Sequence, residues 1–278
     1  MNAPEASTTL LEEERLWPFV WTCIGLGAQI PAEGDILPYT LGSLGIHVER
    51  LARGGLAARL NRAQHGGCVM VPIQCRSGRK IRCGFTSCGY SLDRGPLPAP
   101  LPDEEAPERL AFRGARPELL APLAVREEAG LIFVHASGAP LEFHLPDGLS
   151  DWRDGGAMAQ TMLALAWHEV PPRLGGLLRH WMFPNLVYLR GLDGEALLIL
   201  QPVAPTQTAC RLWARGQGQA GAPAFWLERL TGTSGTEPDP TLQHRFAAWA
   251  APLMGRPPAA RLQGSAYPRN TRYNVVVA

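Results

Sequence analysis

The chain has 278 residues, enough for one large domain or two modest ones around a real core, and 46% of them are hydrophobic. A formal net charge of +1 gives no electrostatic case for nucleic acid or an anionic membrane as partner. No uninterrupted apolar run approaches the roughly 20 residues that a membrane span needs.

In chain order, residues 1–14 read as a disordered N-terminus. Trp17 to Ile30 is the most apolar stretch nearby, but it contains Pro18 and follows Glu12, Glu13 and Glu14. It therefore lacks the basic start of a signal peptide, and a cytoplasmic location is expected. Six cysteines in a chain of this length then form no disulfide framework. Four of them (Cys68, Cys75, Cys83 and Cys88) cluster near His65.

From Trp17 to Leu92 short strands alternate with glycine and proline punctuation: Ile46 to Leu51, Leu56 to Leu60, Val69 to Ile73 and Lys80 to Arg82. This spacing predicts a small all-β module. Gly95 to Pro107, with five prolines and an acidic patch, reads as an exposed loop. Leu123 to Arg126 and Leu131 to His135 flank Glu127-Glu128-Ala129-Gly130 as a hairpin. Gly148 to Gly156 marks a boundary, which gives a β domain over 15–150 and an α+β domain over 151–278.

In the second half, Thr161 to Val170, Leu186 to Arg190, Ala196 to Leu200 and Thr208 to Ala214 read as antiparallel strands. Leu242 to Met254 places Phe246, Trp249, Ala250 and Leu253 at helical spacing. The run Gly216 to Gly221 suggests a phosphate loop, but Ala222-Pro223 follows where a helix should start, so a flexible loop is expected. No nucleophile elbow or zincin motif is present. His135 and His144 flank a turn, and His47 and His244 read as surface or satisfied polar positions.

Two segments carry the chemistry. One reads Asn61-Arg62-Ala63-Gln64-His65-Gly66-Gly67, the other Cys83-Gly84-Phe85-Thr86-Ser87-Cys88-Gly89-Tyr90-Ser91-Leu92-Asp93. With Trp21, Gly25, Gly34-Asp35 and Gly42 upstream, they resemble the N-terminal half of Rieske-type non-heme iron oxygenase large subunits (the aromatic ring-hydroxylating dioxygenase alpha-subunit family). The resemblance covers roughly residues 15–135 well and the rest loosely.

It implies an α+β protein: a small all-β Rieske-like module, then a shortened helix-grip domain in which a curved antiparallel sheet wraps a helix. A Rieske cluster takes two thiolates on one iron and two imidazoles on the other. The family supplies them from a Cys-x-His loop and a Cys-x-x-His loop. Here Ala63 stands at the first cysteine and Thr86 at the second histidine, so only His65 and Cys83 match. Alanine has no donor atom and a threonine hydroxyl is a poor replacement for imidazole. No intact [2Fe–2S] cluster is expected. His65, Cys68, Cys83 and Cys88 offer an alternative zinc set. A Cys68–Cys88 bridge is disfavoured in a reducing compartment, and the plainer reading makes these residues packing groups on two loop tips.

Family members also bind a mononuclear iron through two histidines and a carboxylate, on a helix that follows the strand placed at Thr161 to Val170. In this sequence His168-Glu169-Val170 runs straight into Pro171-Pro172-Arg173-Leu174-Gly175-Gly176, which is hostile to a helix interior. His168, Glu169 and His180 remain as an improvised set, with His168 and Glu169 expected on opposite faces of a strand. No mononuclear iron is expected either. Three functions follow from the resemblance. The first is a non-catalytic subunit paired with a catalytically complete alpha subunit through Asn61, Gly67, Gly89 and Tyr90. The second is an oxygenase with an atypical metal site, hydroxylating or demethylating an apolar or aromatic substrate. The third is an apolar-ligand-binding protein.

Overall fold

Short runs of branched and aromatic residues, punctuated by glycine turns, give this chain antiparallel sheets and few helices. The structure, a computed structural model, describes residues 12, 15–41, 44–60, 75–76, 122–137, 143–232 and 235–256. The expected strands Val69 to Ile73 and Lys80 to Arg82 and the proline-rich loop at 95–107 lie outside them.

The first sheet contains β1 (Thr22–Leu26), β2 (Asp35–Leu41), β3 (Leu44–Arg50), β4 (Leu56–Leu60), β5 (Cys75–Arg76), β6 (Pro122–Glu128) and β7 (Leu131–His135). Their order is β1-β7-β6-β4-β3-β2-β5, every neighbouring pair being antiparallel. The sheet curls until β1 approaches β2. Gly25 permits that approach, since a Cβ there would stand 2.7 Å from the Leu37 side chain. β3, β4 and the β6–β7 hairpin follow the sequence reading. Inside the curl lie Ile24, Leu37, Ile46, Val48, Ile132 and Val134.

The second sheet has the order β8-β12-β11-β10-β9, from β8 (Ala157–Leu163), β9 (Leu178–Met182), β10 (Leu186–Arg190), β11 (Gly194–Ala204) and β12 (Gln207–Gly216). Two helices accompany it, α1 (Pro223–Gly232) and α2 (Pro240–Met254). α2 confirms the helical spacing: Asp239 caps it by accepting from the Thr241 N–H at 2.8 Å, and Ala250 and Leu253 are buried. One apolar core joins the two sheets, from Trp17 and Ile24 to Leu198, Trp226 and Leu253.

Two expectations need correction. The strand placed at Thr161 to Val170 starts earlier and ends at Leu163, because Glu169 turns back to accept from the Ala166 N–H and closes a 3-10 turn over Trp167–Glu169. The sequence after Gly221 does start a helix, because proline suits the first helical position, where its missing N–H has no partner to lose.

Between the sheets, residues 143–156 are pinned on both sides. Gly130 adopts φ +77° and lies so close to the segment that a Cβ would stand 2.3 Å from the Arg153 nitrogen. The Trp152 N–H donates to the Ala129 carbonyl at 2.8 Å. On the other side the Arg215 guanidinium lies 4.1 Å over the Trp152 ring and donates to the Asp151 carbonyl.

Candidate functional site

The two candidate loop segments fall in sequence between β4 and β6. β4 ends at Leu60, and β6 begins at Pro122, which pairs with Arg59 of β4. Between these points β5 pairs with Asp35 and Ile36 of β2. The loop positions themselves (Asn61, Ala63, His65, Gly67, Cys68, Cys83, Thr86, Cys88, Gly89 and Tyr90) lie outside the described residues. Beside their root stands His47, between Pro38 and Arg59 in the ladder. It is neither exposed nor satisfied, which corrects the sequence reading: its ring is fully buried and neither nitrogen has a hydrogen-bond partner. Burial first, then the Arg59 charge, lowers its pKa from 6.5 to about 4.

The second candidate region is the β8–β9 connection, residues 164–177. It consists of three successive 3-10 turns, at Trp167–Glu169, Pro171–Arg173 and Gly175–Leu177. His168 and Glu169 therefore sit in a turn, not on a strand. The His168 ring stacks on Phe246 of α2 at 5.2 Å and meets Trp167 edge-on at 5.4 Å. Phe246 also stacks on Trp181 of β9, at 5.4 Å. His180 precedes Trp181 on the strand, so it faces the other side of the sheet. There its ring stacks on Tyr188 at 6.1 Å. Burial lowers the pKa of both histidines, countered by Glu169 at His168 and reinforced by Arg179 at His180.

Two polar seams escaped the sequence reading. In the first, Asn185 bridges the sheets: its side-chain amide accepts from the Cys23 N–H at 3.1 Å and donates to the Cys23 carbonyl at 2.7 Å and the Tyr39 hydroxyl at 3.2 Å. Arg211 lies 4.8 Å over the Tyr39 ring and donates to Gln201. Burial pushes the Cys23 thiol up to about 12. In the second seam Glu195 accepts from Tyr188, Ser150 and Arg215. Burial alone would raise the Glu195 pKa, but these donors hold it below the usual value. Every group there is engaged, so the seam fastens the 143–156 segment to the second sheet. The only sequence signal was Phe183-Pro184-Asn185-Leu186, whose polar member is placed to reach across.

No family model matches the chain. Solved structures do. CntA, a quaternary ammonium Rieske monooxygenase, superposes with a TM-score of 0.56 at 14% identity, over 85% of this chain and 83% of that one. Its apo form gives 0.52 at 15% identity, over 89% and 82%. Its complex with the substrate gamma-butyrobetaine gives 0.53 at 12% identity, over 84% and 81%. This chain has the fold of a Rieske oxygenase alpha subunit.

A Rieske oxygenase fold implies two metal centres, and His168, Glu169 and His180 do not together fit the mononuclear one. The rings of His168 and His180 occupy opposite sides of the second sheet, and the Glu169 carboxylate is committed to a backbone N–H. Among the described residues no three His, Cys, Asp or Glu side chains gather to hold a metal ion. The positions expected to hold a cluster, among them Ala63, His65, Cys83 and Thr86, lie outside the described residues. No helix among the described residues is long and apolar enough to cross a membrane.

Proposed function

We propose that this chain is a non-catalytic subunit of a Rieske-type oxygenase complex, pairing with a catalytically complete alpha subunit that it supports or regulates. One observation carries the reading: the connection at 164–177 holds three short 3-10 turns and no α-helix, and its histidine is stacked into an aromatic cluster away from His180. A chain that keeps the alpha-subunit frame but has dispersed its iron ligands retains packing surfaces rather than chemistry. The structure of CntA gives insights into inter-subunit electron transfer in that protein. In this chain Asn61, Gly67, Gly89 and Tyr90 keep the sequence pattern of both loops and would contact the partner.

The purified chain is expected to be colourless, with no stoichiometric iron or sulfide and no Rieske electron-paramagnetic signal. A chelator should leave its melting temperature unchanged, since a chain this size buries enough apolar surface unaided. A full cluster signal would restore the active-oxygenase reading. A large drop in Tm with chelator would instead assign structural zinc to His65, Cys68, Cys83 and Cys88.

A further inference from the structure

Three arginines that the sheets bury wholly or in part are matched by acids. Arg50 reaches Glu127 at 2.5 Å, Arg59 reaches Glu49 at 3.2 Å and Arg215 reaches Glu195 at 2.5 Å. Arg211 of β12 departs from this pattern. It is half-buried where the two sheets meet, and among the described residues no carboxylate pairs with it. It donates to the Gln201 Oε1 at 2.5 Å and to the Ile24 carbonyl at 3.4 Å, and lies 4.8 Å over the Tyr39 ring. The Tyr39 hydroxyl supplies no counter-charge, since burial raises its pKa further above neutrality. A cation withdrawn from water without an anion costs free energy that neutral acceptors offset only in part. Burial accordingly lowers the Arg211 pKa, while the guanidinium stays charged.

The free N–H groups of Arg211 open outward. Nitrogens sealed from solvent without a partner occur at Arg15 and Arg173, but not at Arg211. The strand register sets what stands around them. Gln160 of β8 is the residue opposite Arg211, so the two side chains stand next to each other on one face of the sheet, and Gln160 is exposed. Met158 and Met162 flank Gln160 on that face, 40% and 42% exposed. A guanidinium grips a carboxylate through two parallel N–H···O bonds, and an amide N–H beside it donates to the same group. Thioether side chains adapt their shape to an apolar body. We propose that Arg211, Gln160, Met158 and Met162 form a binding site for a small organic carboxylate with an apolar body. The site lies on β12 and β8, separated from His180 on β9 by β11 and β10, and it holds whether or not the chain pairs with an alpha subunit.

Calorimetric titration of the full chain with sodium octanoate should give saturable binding. Octanamide keeps the shape without the charge, and acetate keeps the charge without the apolar body. Each should bind about tenfold more weakly or worse, the loss expected when one charge-assisted pair or one apolar contact surface is removed. Gln160→Glu, at an exposed position, supplies the missing carboxylate from the chain itself and should block octanoate with the circular dichroism unchanged. Arg211→Gln should abolish binding. If that variant does not fold, Gln160→Glu and the octanamide comparison decide by themselves. The proposal fails if octanoate does not bind saturably, if octanamide or acetate binds as tightly, or if Gln160→Glu leaves the affinity unchanged.

Discussion

Replacing Trp152 with alanine is expected to lower the unfolding free energy by about 3–5 kcal/mol, the range for deleting a large buried aromatic. The ring is fully buried in the core, with the Arg215 guanidinium over one face. Its backbone fastens the 143–156 segment to the turn of the β6–β7 hairpin through Ala129. Truncation thus opens a cavity where the two sheets are joined, and removes the surface on which Arg215 rests. Against a typical total of about 5–15 kcal/mol this is a large share. Urea unfolding at unchanged m-value measures it. Leu192→Ala is the control, since Leu192 is fully exposed and its loss should fall within about 0.5 kcal/mol of zero. A Trp152→Ala shift no larger than the control's would mean that the segment does not lock the sheets.

The second large effect is acid destabilisation through His47. In the unfolded chain this residue takes up a proton near pH 6.5, while burial and the Arg59 charge hold the folded pKa to about 4. Between those values the unfolded state binds the extra proton, so stability rises with pH across this window. The contribution is complete above pH 6.5 and is lost progressively as the pH falls to about 4. At 1.36 kcal/mol per pH unit the loss amounts to about 3 kcal/mol. His135 and His168, whose pKa values burial also lowers, act in the same direction. Denaturant midpoints between pH 7.5 and 4 follow the curve. His47→Leu should flatten much of it; an unchanged slope would place the acid sensitivity elsewhere.

The sequence made the strands with clear flanking turns legible: β3, β4, the β6–β7 hairpin, β10, β11, β12 and the amphipathic helix α2. What it hid has physical causes. β1 is buried at every position and so shows no alternation to mark it as a strand. β2 contains Pro38, which argues against a strand read in isolation. His47 was misjudged because β3 is covered on both faces, with Ile46, His47 and Val48 all buried, so a polar residue there does not mark a solvent side. Of the candidate site, the lack of an α-helix directly after His168 followed from the prolines and glycines of 171–176. The separation of His168 from His180 did not, because it depends on which face of β9 meets α2. Asn185, Glu195 and Arg215 were invisible for a similar reason: each acts across sheets or across a linker, at a separation no local pattern records.

Partnership with a complete alpha subunit can be tested by co-expression. This chain, tagged, is produced with an intact Rieske oxygenase alpha subunit from the same genome, captured by affinity and sized. Both chains should elute in one complex of fixed stoichiometry, and Tyr90→Ala should weaken the capture. The contrary result is that the two never co-purify while the alpha subunit is fully soluble and active alone.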